Sequence, residues 1–237
     1  PSGFSNPYNY SFENICVKDM TIQSQEYGAG LIGSIAITPK NKQDTARKSV
    51  FVFNNCVVGE DTIDGNLEGG YGVSVKASAD VGGFIASYRD AIDVTFHECQ
   101  VYSTDLQACG MHIYEHVTQE WSSNWKYVYP SAGGFIGRGV GTGKTITVEG
   151  GGFNKLNLRS KGHMGGIIGE TESTLLVNAS TNEKTFVGDK LTFSGNGNVN
   201  ELSIGDDVYV ETTLNADGTI NIQAVNYNRT KYVGSFG

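Results

Sequence analysis

Several stretches of this chain carry residue types that could do chemistry. The run from Ser131, SAGGFIGRGVGTGKTITVEGGG, closes on Gly143-Lys144-Thr145. A phosphate-cradling loop needs a further glycine ahead of four free positions, because its backbone N–H groups wrap the phosphates at a helix start. Arg138 holds that place, and the TITVE that follows alternates as a strand does, so register and context both speak against a nucleotide. HIYEH (112–116) matches an inverted zinc-peptidase motif, in which His112 and His116 bind the metal and Glu115 is the general base. That motif works only on a helix, where positions i and i+4 share a face. The preceding ACG and the β-rich setting argue against a helix, and no third ligand is placed downstream.

The carboxylates offer less. Asp206 and Asp207 are adjacent, so on a strand they point to opposite faces. Asp90 and Asp93 follow Arg89 in a turn, and Glu60, Asp61 and Asp64 share a loop. Ca²⁺ is the one metal these turns could take, and none has the pattern of a high-affinity loop; solvated turn residues are the favoured reading. No Ser-His-Asp or Cys-His pair can be assembled, and a buried Cys is a poor nucleophile. The expectation is no cofactor and, on balance, no enzyme.

A binding surface is easier to see. DLQACGMHIYEHVTQEWSSNWKYVYP, between Cys99 and Gly134, holds both tryptophans, Trp121 and Trp125, with Tyr114, Tyr127 and Tyr129. Flat aromatic rings stack on the apolar faces of sugars, and long insertions on rigid scaffolds are where function tends to sit. These five residues are the candidate binding site, with residues 106–130 expected to project. The competing reading is that the aromatics fold back over a flank of the fold.

The elements that would position them repeat. AGLIG (29–33), GGFIA (82–86), GGFIG (133–137) and GGIIG (165–169) recur, with a degenerate VGSFG at 233–237. Between them stand SFENICVKD, VFNNCVVGE and VTFHECQVY, which place Cys16, Cys56 and Cys99 alike, with Gly151 of VEGGGF in the same position. Gly134 to Gly166 spans 32 residues, and longer units carry insertions. A period near 30 residues with length variation confined to certain places is the mark of a stacked repeat. The units are short, β-branched or aromatic strands bounded by Gly, Asn, Asp or Ser, without a sustained helical period.

The fold expected is all-β: a parallel, right-handed β-helix or solenoid with irregular loop insertions and a β-rich C-terminal segment. Box glycines would allow a tight bend or positive φ at one corner, in a line along the axis. The pairs Leu31-Ile32, Phe84-Ile85, Phe135-Ile136 and Ile167-Ile168 would pack inside. Cys16, Cys56 and Cys99 would be buried and reduced, held about 10 Å apart because each unit contains more than one coil. Residues 1–180 form the repeats and 181–237 a β-rich continuation or cap, in which FVGDKLTF and SIGDDVYV repeat at 17 residues and LNADGTINI carries a hairpin turn signal.

Boxes of the form [AG]-G-[LFI]-I-[GA] alternating with cysteine strands resemble the GLUG-type repeats of large bacterial surface proteins, including those attached to IgA-protease-like metallopeptidases. The resemblance covers roughly residues 10–180 and implies stalk and adhesion modules rather than catalysts. Beyond Asn178 the cysteine strand is missing.

Composition agrees with such a role. Net charge is −8 and pI near 5.0, a poor match to a nucleic-acid backbone. No apolar run reaches the 18 residues of a membrane span. The chain opens and closes mid-pattern, like a piece of a longer one. The function expected is therefore a non-catalytic extracellular or cell-surface module, a stalk or adhesin segment that presents loops to a glycan or protein. The alternatives are a polysaccharide-active lyase or hydrolase on the same scaffold, or a phage tail-fibre segment. Carboxylates with Arg lining one groove would favour the enzyme; Ser, Thr and Asn there would favour the module.

Overall fold

The computed structural model describes residues 9–37, 49–60, 72–90, 92–109, 112–117, 123–128, 130–140, 145–160, 162–171, 173–177, 184–188, 190–194, 198–205, 209–214, 220–225 and 232–234, with the side chains of those up to residue 171 described except at 37, 90, 112–117 and 123–128. The fold is all-β. Among the described residues the strands form four parallel sheets and three two-stranded antiparallel hairpins.

The chain visits the four sheets in a fixed order. Asn9–Glu13 lies in the first, Cys16–Val17 and Met20–Ser24 in the second, Tyr27–Ala29 in the third and Ile32–Ile37 in the fourth. Ser49–Asn54 then returns beside Asn9–Glu13, in parallel. Later units repeat the circuit: Ile92–His97 and Thr145–Glu149 join the first sheet, Gln100–Ala108 and Gly152–Ser160 the second, Ser131–Gly133 and His163–Gly165 the third, Ile136–Val140 and Ile168–Glu170 the fourth. We call the strands of one unit a tier. Lys190–Ser194, Asn198–Gly205 and Tyr232–Gly234 supply a fifth tier to the first three sheets. The 17-residue likeness of FVGDKLTF and SIGDDVYV does not mark equivalent places. The first joins a hairpin strand to the first sheet, and the second leads from the second sheet into another hairpin. LNADGTINI does join two antiparallel strands, Tyr209–Leu214 and Ile220–Val225.

Each unit makes one circuit, not several. Gln100 N–H donates to Cys56 O at 2.9 Å, so the strands that follow Cys56 and Cys99 are direct neighbours. Equivalent Cα atoms therefore sit one strand spacing apart, about 4.8 Å, and not two. Alternation puts Phe51, Phe53, Val94, Phe96, Ile146 and Val148 of the first sheet into the core. Phe53 stacks on Phe12 and on Phe96 at centroid distances of 4.8 and 4.9 Å. The Φ-Ile pairs behave as expected: Phe84, Ile85, Phe135, Ile136, Ile167 and Ile168 are buried, while Leu31 and Ile32 of the first tier pack partly exposed.

Cys16 does not share the place of the other cysteines. Cys16 pairs with Val57, which sets Ile15 opposite Cys56. Side chains alternate with period two, so this one-residue offset turns Cys16 outward, and it is exposed. Cys56 and Cys99 are buried and free. Their thiols face main-chain oxygens, Cys56 Sγ that of Phe12 at 3.4 Å and Cys99 Sγ that of Phe53 at 3.3 Å. Burial pushes the Cys99 thiol up to about 12. Gly151 does occupy the cysteine column, opposite Cys99, with φ of +75°.

The box glycines serve close approach rather than unusual φ. Gly30, Gly83 and Gly134 lie in a line, and a Cβ on each would run into the carbonyl oxygen of Gly83, Gly134 and Gly166 respectively. Positive φ is used instead between the first and second sheets, at Asn14, Asn55, Glu98 and Gly150. Asn tolerates that region better than most residues, and Asn55 Nδ2 donates to Asn14 Oδ1 at 2.8 Å, tying two tiers together.

Candidate functional site

The third and fourth sheets are joined through the glycine boxes and pack backbone to backbone across them. Gly82 and Gly133 face the carbonyls of Ile85 and Ile136, with no room for a Cβ. Flanking the glycines stand residues seven apart in sequence: Tyr27 and Ser34, Asp80 and Ser87, Ser131 and Arg138, His163 and Glu170. The first of each pair forms a column in the third sheet and the second a column in the fourth.

Among the described residues the buried charged side chains are Asp80, Asp105 and Arg138, and two of these three lie in these columns. Glu170 Oε2 accepts from Arg138 Nε at 2.9 Å, from Arg138 NH2 and from Ser131 Oγ at 2.7 Å, and His163 Nδ1 lies 2.6 Å away. Arg138 Nε is 3.8 Å from Asp80 Oδ1, an ion pair too long for a hydrogen bond. Burial works to raise the Glu170 pKa, but His163, the Arg138 charge and the Ser131 hydroxyl outweigh it and hold the carboxyl at about 2. Asp80 goes the other way. Burial pushes it up to about 7, with the Glu170 charge adding and Arg138 opposing.

Two carboxyls with protonation split in this way could serve as acid and base. Access decides against it, because Asp80 is 2% exposed and Arg138 8%. Both sit in the seam between two sheets, with their charges engaged by one another. The sequence signal was present as the spacing of seven around each box, but the residue types differ from tier to tier.

A second polar cluster lies on the outer face of the second sheet. Two columns cross the tiers there: Thr21, Ser74, Asp105, Asn157 and Ser203, beside Gln23, Lys76, Gln107, Arg159 and Gly205. Asp105, the carboxylate of these columns, is engaged by Asn157 Nδ2 at 2.7 Å, Gln107 Nε2 at 2.6 Å and Arg159 NH2 at 2.9 Å.

The aromatic insertion leaves from the end of this face. Leu106 and Ala108, expected within the projecting segment, are fully buried in the core. The stack closes beneath the insertion: Cys109 N–H donates to Ala77 O at 2.7 Å and His163 N–H to Pro130 O at 3.0 Å. The insertion therefore begins after Cys109 and ends before Pro130. Within it, His112–Val117 and Ser123–Val128 form an antiparallel hairpin that sets Glu115 opposite Trp125, Tyr114 opposite Lys126 and Ile113 opposite Tyr127. Tyr114, Trp125 and Tyr127 thus share one hairpin, while Trp121 and Tyr129 lie outside the described residues.

The zinc motif fails on this geometry. HIYEH is a strand, and two residues four apart on a strand are about 13 Å apart, beyond a shared metal. No group of three or more His, Cys, Asp or Glu that could hold a metal is present among the described residues. Thr145–Glu149, after the glycine-lysine run, is likewise a strand and not a helix. Asp90 and Asp93 lie in strands rather than in a turn, and Asp93 Oδ1 accepts the Thr145 N–H at 2.6 Å. Glu60 pairs with Lys18, while Asp61, Asp64, Asp206 and Asp207 lie outside the described residues. No described helix is long and apolar enough to cross a membrane.

No protein-family model matches the chain, nor does any curated protein or solved structure.

Proposed function

We propose that the chain is a non-catalytic extracellular module, a GLUG-type stalk or adhesin segment of a larger bacterial surface protein, built as a right-handed parallel β-helix. The recurrence of one circuit through the same four sheets supports the β-helical reading. The observation that carries the functional reading is the outer face of the second sheet. It presents hydroxyl, carboxamide and cationic groups at the root of an aromatic hairpin, and its carboxylate Asp105 is already engaged. Planar amide and guanidinium groups beside aromatic rings suit the vicinal hydroxyls and apolar faces of a sugar. The ligand of this surface is a glycan, bound and left intact.

The test is a glycan-array screen of the protein and of a Trp121→Ala/Trp125→Ala double variant. Binding that the double variant loses while its far-UV circular dichroism is unchanged supports the module. Unfolding of the variant would make the aromatics part of the core. The rival reading, a polysaccharide-active enzyme, has the split protonation of Asp80 and Glu170 in its favour and the burial of Asp80 against it. New reducing ends or unsaturated uronates released from any polysaccharide would establish that reading instead.

A further inference from the structure

The two polar columns of the second sheet differ in what they show to solvent. Their carboxylate, Asp105, is 6% exposed and is held by Asn157, Gln107 and Arg159. The cations are more open: Lys76 is exposed, and the Arg159 side chain is 32% exposed. The charge these columns present is therefore cationic. By contrast, the outer face of the first sheet presents Glu13, Asp93 and Glu149, which repel an anion.

The cations are also spaced. Gln23, Lys76, Gln107 and Arg159 occupy one column in successive tiers. Neighbours in a column are one strand spacing apart, about 4.8 Å, which sets Lys76 and Arg159 about 10 Å apart with Gln107 midway. An extended polysaccharide advances by a similar step with each sugar, so a chain laid along the axis would meet one column residue per ring. Alternate rings would meet a cation, and the rings between them a carboxamide. Asp105 fixes this pattern, because one of its oxygens holds both Gln107 Nε2 and Arg159 NH2. Resting on the glycan-binding reading above, we propose that the second sheet binds an acidic polysaccharide along its columns, with a carboxylate on alternate sugars received by Lys76 and Arg159. A planar guanidinium matches a carboxylate in shape, and an ammonium accepts one from many directions. An acidic peptide fits less well. The strands Val73–Ala77, Gln100–Ala108 and Gly152–Ser160 are already paired on both sides, so a peptide crossing them would find no backbone partner.

Biolayer interferometry at low salt, with a hyaluronan decasaccharide as the probe, tests this. Hyaluronan alternates a uronate with a neutral sugar, and its carboxyl-reduced form keeps the backbone without the charge. The acidic form is expected to bind about tenfold more tightly or better. Lys76→Gln, at an exposed position, should weaken hyaluronan binding about fivefold with circular dichroism unchanged, and Lys76→Arg should keep it. Lys18→Gln, which removes a charge already engaged by Glu60, should change it by less than about twofold. Equal binding of the acidic and reduced forms, or a Lys76→Gln variant that binds hyaluronan as the wild type does, would overturn the proposal and leave glycan binding on the array intact. Poly-L-glutamate bound as tightly as hyaluronan would overturn it too, because charge alone would then suffice. A protein that binds neither hyaluronan nor any glycan on the array would overturn both readings at once.

Discussion

Replacing Asp80 with Asn changes one buried oxygen, and its effect can be worked out from the seam between the third and fourth sheets. In the unfolded chain Asp80 releases its proton near the ordinary 3.8, whereas in the folded chain burial holds it until about 7. Below 3.8 both states are protonated and the group has no effect on stability. Between these values only the unfolded chain is ionised, so stability falls as pH rises, by about 1.4 kcal/mol per pH unit. Above about 7 the cost is constant, and a difference of three units places it at about 4 kcal/mol at most. Glu170 has the opposite sign: its contribution is present above the ordinary 4.5 and is lost as pH falls toward about 2. Together they place maximal stability near pH 4–5 as far as this seam is concerned. Urea denaturation of wild type and Asp80→Asn from pH 4 to 8 measures the difference directly. The variant is expected to lose ground at pH 4, where its amide replaces a neutral acid, and to gain by up to about 4 kcal/mol at pH 8. If the difference between the two proteins is the same at every pH, Asp80 titrates normally and the account of the seam is wrong.

The thiols and the glycine column give two more expectations. In the native protein a maleimide should label Cys16 rapidly, and Cys56, Cys99 and Cys109 only after denaturation; more than one label per native chain by mass spectrometry would contradict the register that separates Cys16 from the others. Gly83→Ala drives a methyl against the Gly134 carbonyl and should cost about 3 kcal/mol or more, whereas Gly33→Ala meets only the Tyr27 carbonyl at 3.4 Å and should cost less than about 1 kcal/mol. Equal melting temperatures for the two variants would refute close approach as the reason for the column.

Parallel β architecture could be read from the chain because the glycine boxes and the alternating strands repeat with their residue types intact. The alignment of Cys16 with Cys56 shows where identity misleads. Matching the two sulfurs shifts the strand by one residue, while matching Phe12 with Phe53 gives the observed ladder. The single circuit per unit was hidden by bends that do not use glycine: Asp19, Ser103 and Lys155 take positive φ within the second sheet, where the sequence offers no punctuation. The seam was hidden for a different reason. Tyr, Asp, Ser and His fill one of its columns and Ser, Ser, Arg and Glu the other, so adjacent tiers are matched by charge and size rather than by likeness. A repeat search finds what is copied and misses what is complementary.

The corner between the second and third sheets is where the stack meets its loops. Two residues make this connection in the first, second and fourth tiers, from Ser24 to Tyr27, from Ala77 to Asp80 and from Ser160 to His163. In the third and fifth tiers the same corner opens into a hairpin. Cys109 and Pro130 keep the third tier's corner hydrogen bonds on either side of that opening, so the scaffold does not depend on what is inserted between them. The two hairpins leave the same edge two strand spacings apart, about 10 Å. The edge therefore works as a rack of evenly pitched sockets, in which a loop can be exchanged, lengthened or emptied without changing the position of the next. A loop grafted between Ser160 and His163 would stand midway between the two already there, and three loops would then share one ruler.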